Sequence, residues 1–277
     1  MSILKLIDNL DAGQTNTADL NQPTSRREGL FTMGGFGSTV LAAAIPTFLL
    51  NMLPKETIAD AMAAPQDAVI DVLNFALTLE YLEADFYIKG TGSNSNITSK
   101  YRAVFDEIRK HESAHVAVLQ QTITKLGGTY VPRSNFTFDF TADGAFPDPF
   151  SAGQFGTFLA LSQAFEDTGV RAYKGQAGVL MTNNDVLTAA LQIHSVEARH
   201  AAMVRLIRAD QGDILTKPWI TGNSRGLMPG ATQDVYNGEE KTNQTPTGAY
   251  DFNAVTEAYD EPLTMQQTLD IAGLFLD

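Results

Sequence analysis

The chain carries two Glu-x-x-His sequences, Glu112–His115 and Glu197–His200. Three helical residues separate two side chains by about 60° around the axis and about 4.5 Å along it, so both can reach one ion. Each pair follows another glutamate at a matching distance: Glu80 lies 32 residues before Glu112, and Glu166 lies 31 before Glu197. Tyr87 and Tyr173 each lie seven residues, or two helical turns, after Glu80 and Glu166, on the same face. Together these are four carboxylates and two imidazoles, a set that balances two divalent cations. Without metal, ionised acids in an apolar interior are costly or must protonate. With 12 Glu and 4 His in 277 positions, about 0.17 such motifs are expected by chance. The expected ligands are therefore Glu80, Glu112, His115, Glu166, Glu197 and His200. Two iron ions, two manganese ions or a mixed Fe/Mn pair suit such N and O donors.

Neighbouring residues supply alternatives and support. Glu83, one turn beyond Glu80, is the alternative ligand on its helix, although only Glu80 has the tyrosine seven residues on. His194, one turn before Glu197, reads as a supporting or surface residue, and His111 as an edge residue beside the solvated face. Gln163, one turn before Glu166, is a candidate to support it. Tyr87 and Tyr173 read as core tyrosines with satisfied hydroxyls or, more sharply, as partners of the ligand carboxylates.

The elements that must position these groups follow from the apolar pattern. Helical runs cover 66–89, about 99–126, about 152–178, and a stretch from Asp185, a candidate N-cap, to near Gly212. Gly90 and the pair Gly127-Gly128 read as C-terminal stops. In the second run Tyr101, Val104, Phe105, Ile108, Glu112, His115, Leu119, Ile123 and Leu126 share one face. In the fourth, Val186, Ala190, Ile193, Glu197, His200, Val204 and Ile207 do so. The acids and imidazoles therefore point inward. Short loops join helices one to two and three to four. The link between helices two and three is long enough to run back along the bundle, with Phe136, Phe138 and Phe140 alternating as an extended segment on it. Two hairpins with one long crossover give an all-α, ferritin-like four-helix bundle.

Composition bounds the rest. Apolar residues make up 44% and charged residues 18%, as in a globular protein. The net charge of −13 argues against nucleic acid as a partner. With no cysteine, neither disulfides nor thiolate ligands are available. Residues 1–63 form a polar tail and an apolar segment. "TSRREGLF", the charge-free stretch 29–54 and Ala-Met-Ala at 61–63 resemble a twin-arginine export signal. This implies a periplasmic or extracellular protein. The alternatives are an uncleaved membrane anchor, with contact through residues 30–53, or a retained cytoplasmic arm. Residues 64–212 form the bundle. Residues 213–277 read as an extension that wraps the bundle or meets a partner, including a second copy in a homo-oligomer, and end in a short helix.

The stretches "VLNFALTLEYLEADFY", "IRKHESAHVAVL", "FLALSQAFEDTGVRAY" and "SVEARHAAMVRLI" resemble the desiccation-related ferritin-like proteins, and "YDEPLT" at 259–264 fits that family's C-terminal end. The wider ferritin-like superfamily implies the same six ligands, while membership of the family does not settle the reaction; the first reading is a dinuclear metal protein handling O2, peroxide or Fe(II) in stress protection. The competing reading is a non-enzymatic structural protein with a structural metal or none. Cage-type iron storage is a third reading, disfavoured by the long segments at both ends.

Overall fold

The computed structural model describes residues 66–92, 95–243 and 250–276. The expectations for residues 1–63 lie outside them. Four long helices dominate: α1 Gln66–Gly90, α2 Ser99–Lys125, α3 Phe155–Leu180 and α4 Asn184–Asp210. No helix among the described residues is long and apolar enough to cross a membrane.

The directions of the helices follow from their contacts. Gln66 reaches the carbonyl of Leu126 at one end of α1 and α2, and Glu80 faces His115 midway. α1 and α2 are therefore antiparallel. Asp167 pairs with Arg205 toward one end of α4, while Gln176 and Leu180 share a cavity with Ala190 toward the other, so α3 and α4 are antiparallel too. Tyr101 stacks on Phe155 at 5.9 Å, and one turn on Phe105 meets Phe158 at 5.0 Å. α2 and α3 thus start side by side and run in the same direction.

Only a long connection permits that parallel pair, and it runs as the sequence pattern requires. Asn74 bonds Thr129 and Val131, Tyr81 bonds Val131, and Arg133 pairs with Asp85. Phe140 reaches Phe86 at 5.3 Å. The connection thus climbs α1 from its N-terminal to its C-terminal end. Phe138 and Phe140 are buried and Phe136 is half-buried, consistent with the alternating pattern. An isolated antiparallel bridge joins Phe138 to Leu276.

Two local expectations change. The cap of α4 lies two residues before Asp185. Asn183 is the N-cap, its side chain accepting from the Val186 N–H at 3.2 Å, and Asp185 falls in the first turn, where its charge favours the positive helix end. Gly90 does end α1, but packing explains the glycine: a Cβ there would lie 2.2 Å from the Phe158 ring. Gly127 is the true left-handed cap, at φ 79°, with Gly127 N–H on Thr124 O and Gly128 N–H on Ile123 O, both at 3.0 Å.

The C-terminal extension holds α5 Phe252–Thr256 and α6 Met265–Ala272, the latter opened by a Thr264/Gln267 capping box. Buried Arg171 of α3 anchors it. Its guanidinium lies 2.6 Å from Glu239 and donates to the carbonyls of Val235, Asn237 and Glu261. The Glu239 carboxylate in turn accepts the Glu261 N–H at 2.9 Å. Beside it, Asp167 takes both Arg205 and the Tyr236 hydroxyl. Phe275 closes the end against Phe165 at 4.9 Å.

Arg171 is 1% exposed and satisfies three carbonyls and one carboxylate, so truncating it strands Glu239. Arg171→Ala should cost about 3–5 kcal/mol, the range for breaking a buried ion pair. It should also open residues 213–276 to limited proteolysis. Arg171→Lys, lacking the planar fork, should recover little of this. A protease pattern unchanged from the parent would overturn the anchor.

Candidate metal centre

Four helices each present a glutamate to the middle of the bundle. Glu80, Glu112, Glu166 and Glu197 are at most 1% exposed, and His115 and His200 are buried beside them. Their ligand atoms form two overlapping groups. One is Glu80, Glu112, His115 and Glu197; the other is Glu112, Glu166, Glu197 and His200. Within each group the atoms lie within 4.8 Å of one another. Glu112 and Glu197 belong to both groups, and Glu80 and Glu166 to one each. The structure therefore brings together all six residues singled out in the sequence.

The imidazoles sit between the acids. His115 Nδ1 is 3.2 Å from Glu80, 3.1 Å from Glu112 and 3.1 Å from Glu197. His200 Nδ1 is 2.9 Å from Glu112 and 3.1 Å from Glu166. The tyrosines brace the outer acids across the two halves. Tyr173 donates to Glu80 at 2.5 Å and Tyr87 donates to Glu166. Each hydroxyl thus serves the acid of the opposite hairpin rather than the one preceding it in sequence. The antiparallel register of α1 and α3 sets this exchange.

Glu83 is buried but lies in neither group. It lines a small apolar cavity of about 10 Å³ with Leu79, Leu82, Phe165, Gly169 and Ile271. A Cβ at Gly169 would stand 3.1 Å from Glu197 Oε2, so that glycine keeps the space beside the shared carboxylate open. His194 is half-buried and also outside both groups. Gln163 does not support Glu166. Its amide donates to Tyr236 at 3.0 Å, because that face of α3 meets the C-terminal extension. His111, expected at the edge of the stripe, lies edge to edge with His200, with ring planes within 9° of parallel, centroids 5.2 Å apart and Nδ1 2.9 Å from His200 Nε2. Its position four residues before His115 was the available signal.

Electrostatics follow from burial. Burial raises Glu80 to about 7 in spite of His115. Burial, then the Glu112 charge, pushes Glu197 well above the usual carboxylate range, and burial, then the Glu197 charge, does the same for Glu83. Burial works against Glu112 too, but bonds to His115 and His200 outweigh it and hold it at about 2. Burial disfavours both imidazolium ions, yet the surrounding acids lift His200 to about 11 and raise His115 further. Without metal, two imidazolium ions therefore occupy the place of the cations.

The donor set fits a pair of metal ions. Glu112 Oε1 and both Glu197 oxygens accept no well-aligned hydrogen bond, although imidazole nitrogens stand 2.9–3.1 Å from two of these three atoms. Buried oxygens left unsatisfied in this way call for another partner. The shared pair of carboxylates and one imidazole per position is the arrangement of dinuclear carboxylate bundles.

Fold and centre together define a four-helix carboxylate–histidine bundle. The family described as "Ferritin-like domain" matches residues 68–210, more than half of the chain, and the protein belongs to that family. Among curated proteins none matches the chain.

The shifts fix a pH dependence. Unfolded Glu titrates near 4.5 and His near 6.5, against about 7 for folded Glu80 and about 11 for folded His200. Between these values the folded chain holds protons that the unfolded chain has released, so stability falls as pH rises. Depressed Glu112 acts outside that window: its contribution is lost only as pH falls from 4.5 toward 2. Metal-free protein should melt higher at about pH 5 than at about pH 9 in calorimetry. Mn2+ should stabilise most at the higher pH, because its binding displaces protons from the imidazoles. A metal-free melting point that rises across that interval would contradict the assignment.

Proposed function

We propose that the protein is a dinuclear metal oxidoreductase of the ferritin-like type that handles O2, peroxide or Fe(II) in stress protection. The observation that best supports this reading is the pair of buried ligand groups that share Glu112 and Glu197. Two iron ions, or manganese, or one of each, suit a donor set made only of carboxylate oxygens and imidazole nitrogens. When bound, such a pair would supply electrons to a small oxidant.

The chain's own groups do the rest. Glu80, Glu112 and His115 would hold one ion with Glu197, and Glu112, Glu166, Glu197 and His200 the other. Tyr87 and Tyr173 fix the outer carboxylates by hydrogen bonds, which limits their rotation. Burial, then the Glu197 charge, pushes Glu83 well above the usual carboxylate range, which suits its carboxyl group to hold a proton beside the cavity. Leu79, Leu82, Phe165 and Ile271 exclude bulk water from that side. At about 10 Å³ the cavity is at the lower limit for one water-sized molecule.

A second reading has its own support. The two imidazolium ions neutralise part of the buried acid without any metal. The bundle could then serve as a non-enzymatic structural or protective protein. The kinship with desiccation-related proteins, twin-arginine export to the periplasm or beyond, membrane contact through residues 30–53 and homo-oligomerisation belong to the proposal, each resting on sequence.

Elemental analysis and stopped-flow oxidation of added Fe2+ separate the two readings. The parent should bind about two ions, Glu80→Ala about one, and Glu112→Ala almost none, because Glu112 is shared. Fe2+ oxidation should fall with the second ion. A parent that binds no metal, fails to oxidise Fe2+ and is unaffected by Glu112→Ala would leave the structural reading.

A further inference from the structure

The two proposed metal positions repeat each other in ligands but not in surroundings. At the first, His115 turns Nδ1 to the acids, and its Nε2 hydrogen-bonds no other described residue. At the second, His200 also turns Nδ1 to the acids, while its Nε2 lies 2.9 Å from His111 Nδ1. The two rings are within 9° of parallel. His111 Nε2 in turn lies 3.4 Å from Glu107, which Lys110 holds at 2.7 Å. His111 and Glu107 have side chains 44% and 55% exposed, so the chain of contacts ends at the surface.

Resting on the dinuclear reading above, we propose that His111 is a positioning residue that makes the two metal positions unequal by fixing His200 alone. The chemistry is directional. A histidine that binds metal through Nδ1 must carry its proton on Nε2. That N–H then needs an acceptor, and His111 Nδ1 is placed to accept it. His111 consequently carries its own proton on Nε2, directed at Glu107. One tautomer runs through all three groups, and the orientation of the His200 ring is locked. Partners of this kind typically alter metal affinity by about 10–100-fold.

A single residue accounts for the inequality. His111 precedes Glu112 by one residue, and the residue in the same place before Glu197 is Val196. The antiparallel register that sets His111 opposite His200 therefore sets Val196 opposite His115, and a valine side chain offers no acceptor. His111 is also separate from the packing that holds the bundle, since nearly half of its side chain is in solvent. Its replacement therefore leaves the fold intact, and the effect can be read at the metal.

The test uses the full chain, with Mn2+ followed by calorimetry and by the paramagnetic signal of unbound Mn2+. Variants that lose one outer acid isolate each position: Glu80→Ala retains the His200 side, and Glu166→Ala retains the His115 side. Adding His111→Ala should weaken Mn2+ about 10–100-fold in the Glu80→Ala protein and leave the Glu166→Ala protein unchanged. His111→Gln, whose carbonyl can accept the His200 N–H, should restore part of the loss. Val196→His, at a half-buried position, should strengthen binding in the Glu166→Ala protein. Equal weakening at both positions, no weakening at either, or a His111→Gln variant no better than His111→Ala would overturn the proposal. A parent chain that binds no Mn2+ would instead overturn the dinuclear reading on which it rests.

Discussion

Buried negative charge is the constraint on which the structure turns. Five glutamates, Glu80, Glu83, Glu112, Glu166 and Glu197, lie inside a helical bundle at 4% exposure or less. Isolated ionised carboxylates do not survive such surroundings; they are paired, protonated or bound to metal. All three solutions have a place here. His115 and His200 pair with the acids, Glu83 and Glu197 are pushed toward the protonated form, and the sharing of Glu112 and Glu197 suits two cations. The fold serves this core. Each long helix contributes one acid to the two ligand groups, and a centre drawn from four helices has little freedom to spread once they are packed.

The helices can converge only if their register is fixed, and much of that register was legible in the chain. The matched spacings around Glu80, Glu112, Glu166 and Glu197 place the acids at one height in each hairpin, and helical periodicity places them inward. The long connection between α2 and α3 was equally informative. A short loop would have forced those helices antiparallel. The alternating phenylalanines before α3 showed how that connection is fastened.

Partnerships between helices were less accessible. Periodicity tells which face a side chain occupies, but not which helix lies against it. Tyr87 and Tyr173 lie on the faces expected, yet each bonds the acid of the opposite hairpin. Gln163 is on α3 beside Glu166 in sequence, yet it faces Tyr236 of the extension. Arg171, Arg205 and Arg208 are charged by type yet buried, because carbonyls and carboxylates that meet them come from residues 213–261 or from a neighbouring helix. Nothing local in a Gly-, Asn- and Thr-rich stretch announces that it will supply those partners.

The departures from the internal repeat carry as much information as the repeat. A symmetric centre needs only six ligands and two tyrosines, and the chain supplies both sets. It then adds His111 to one half, where the other has Val196, and Glu83 to one half, where the other has Gly169. The second exchange is enforced by space. The register that pairs Tyr87 with Glu166 and Tyr173 with Glu80 sets Glu83 opposite Gly169, and both line one cavity. A side chain at 169 would press on Glu197. There is therefore room for one extra carboxyl group, not two. With His111 leading outward to solvent and Glu83 facing an apolar cavity, the two sides of the centre meet different surroundings. A small apolar molecule and a proton would not meet the same barriers on the two sides.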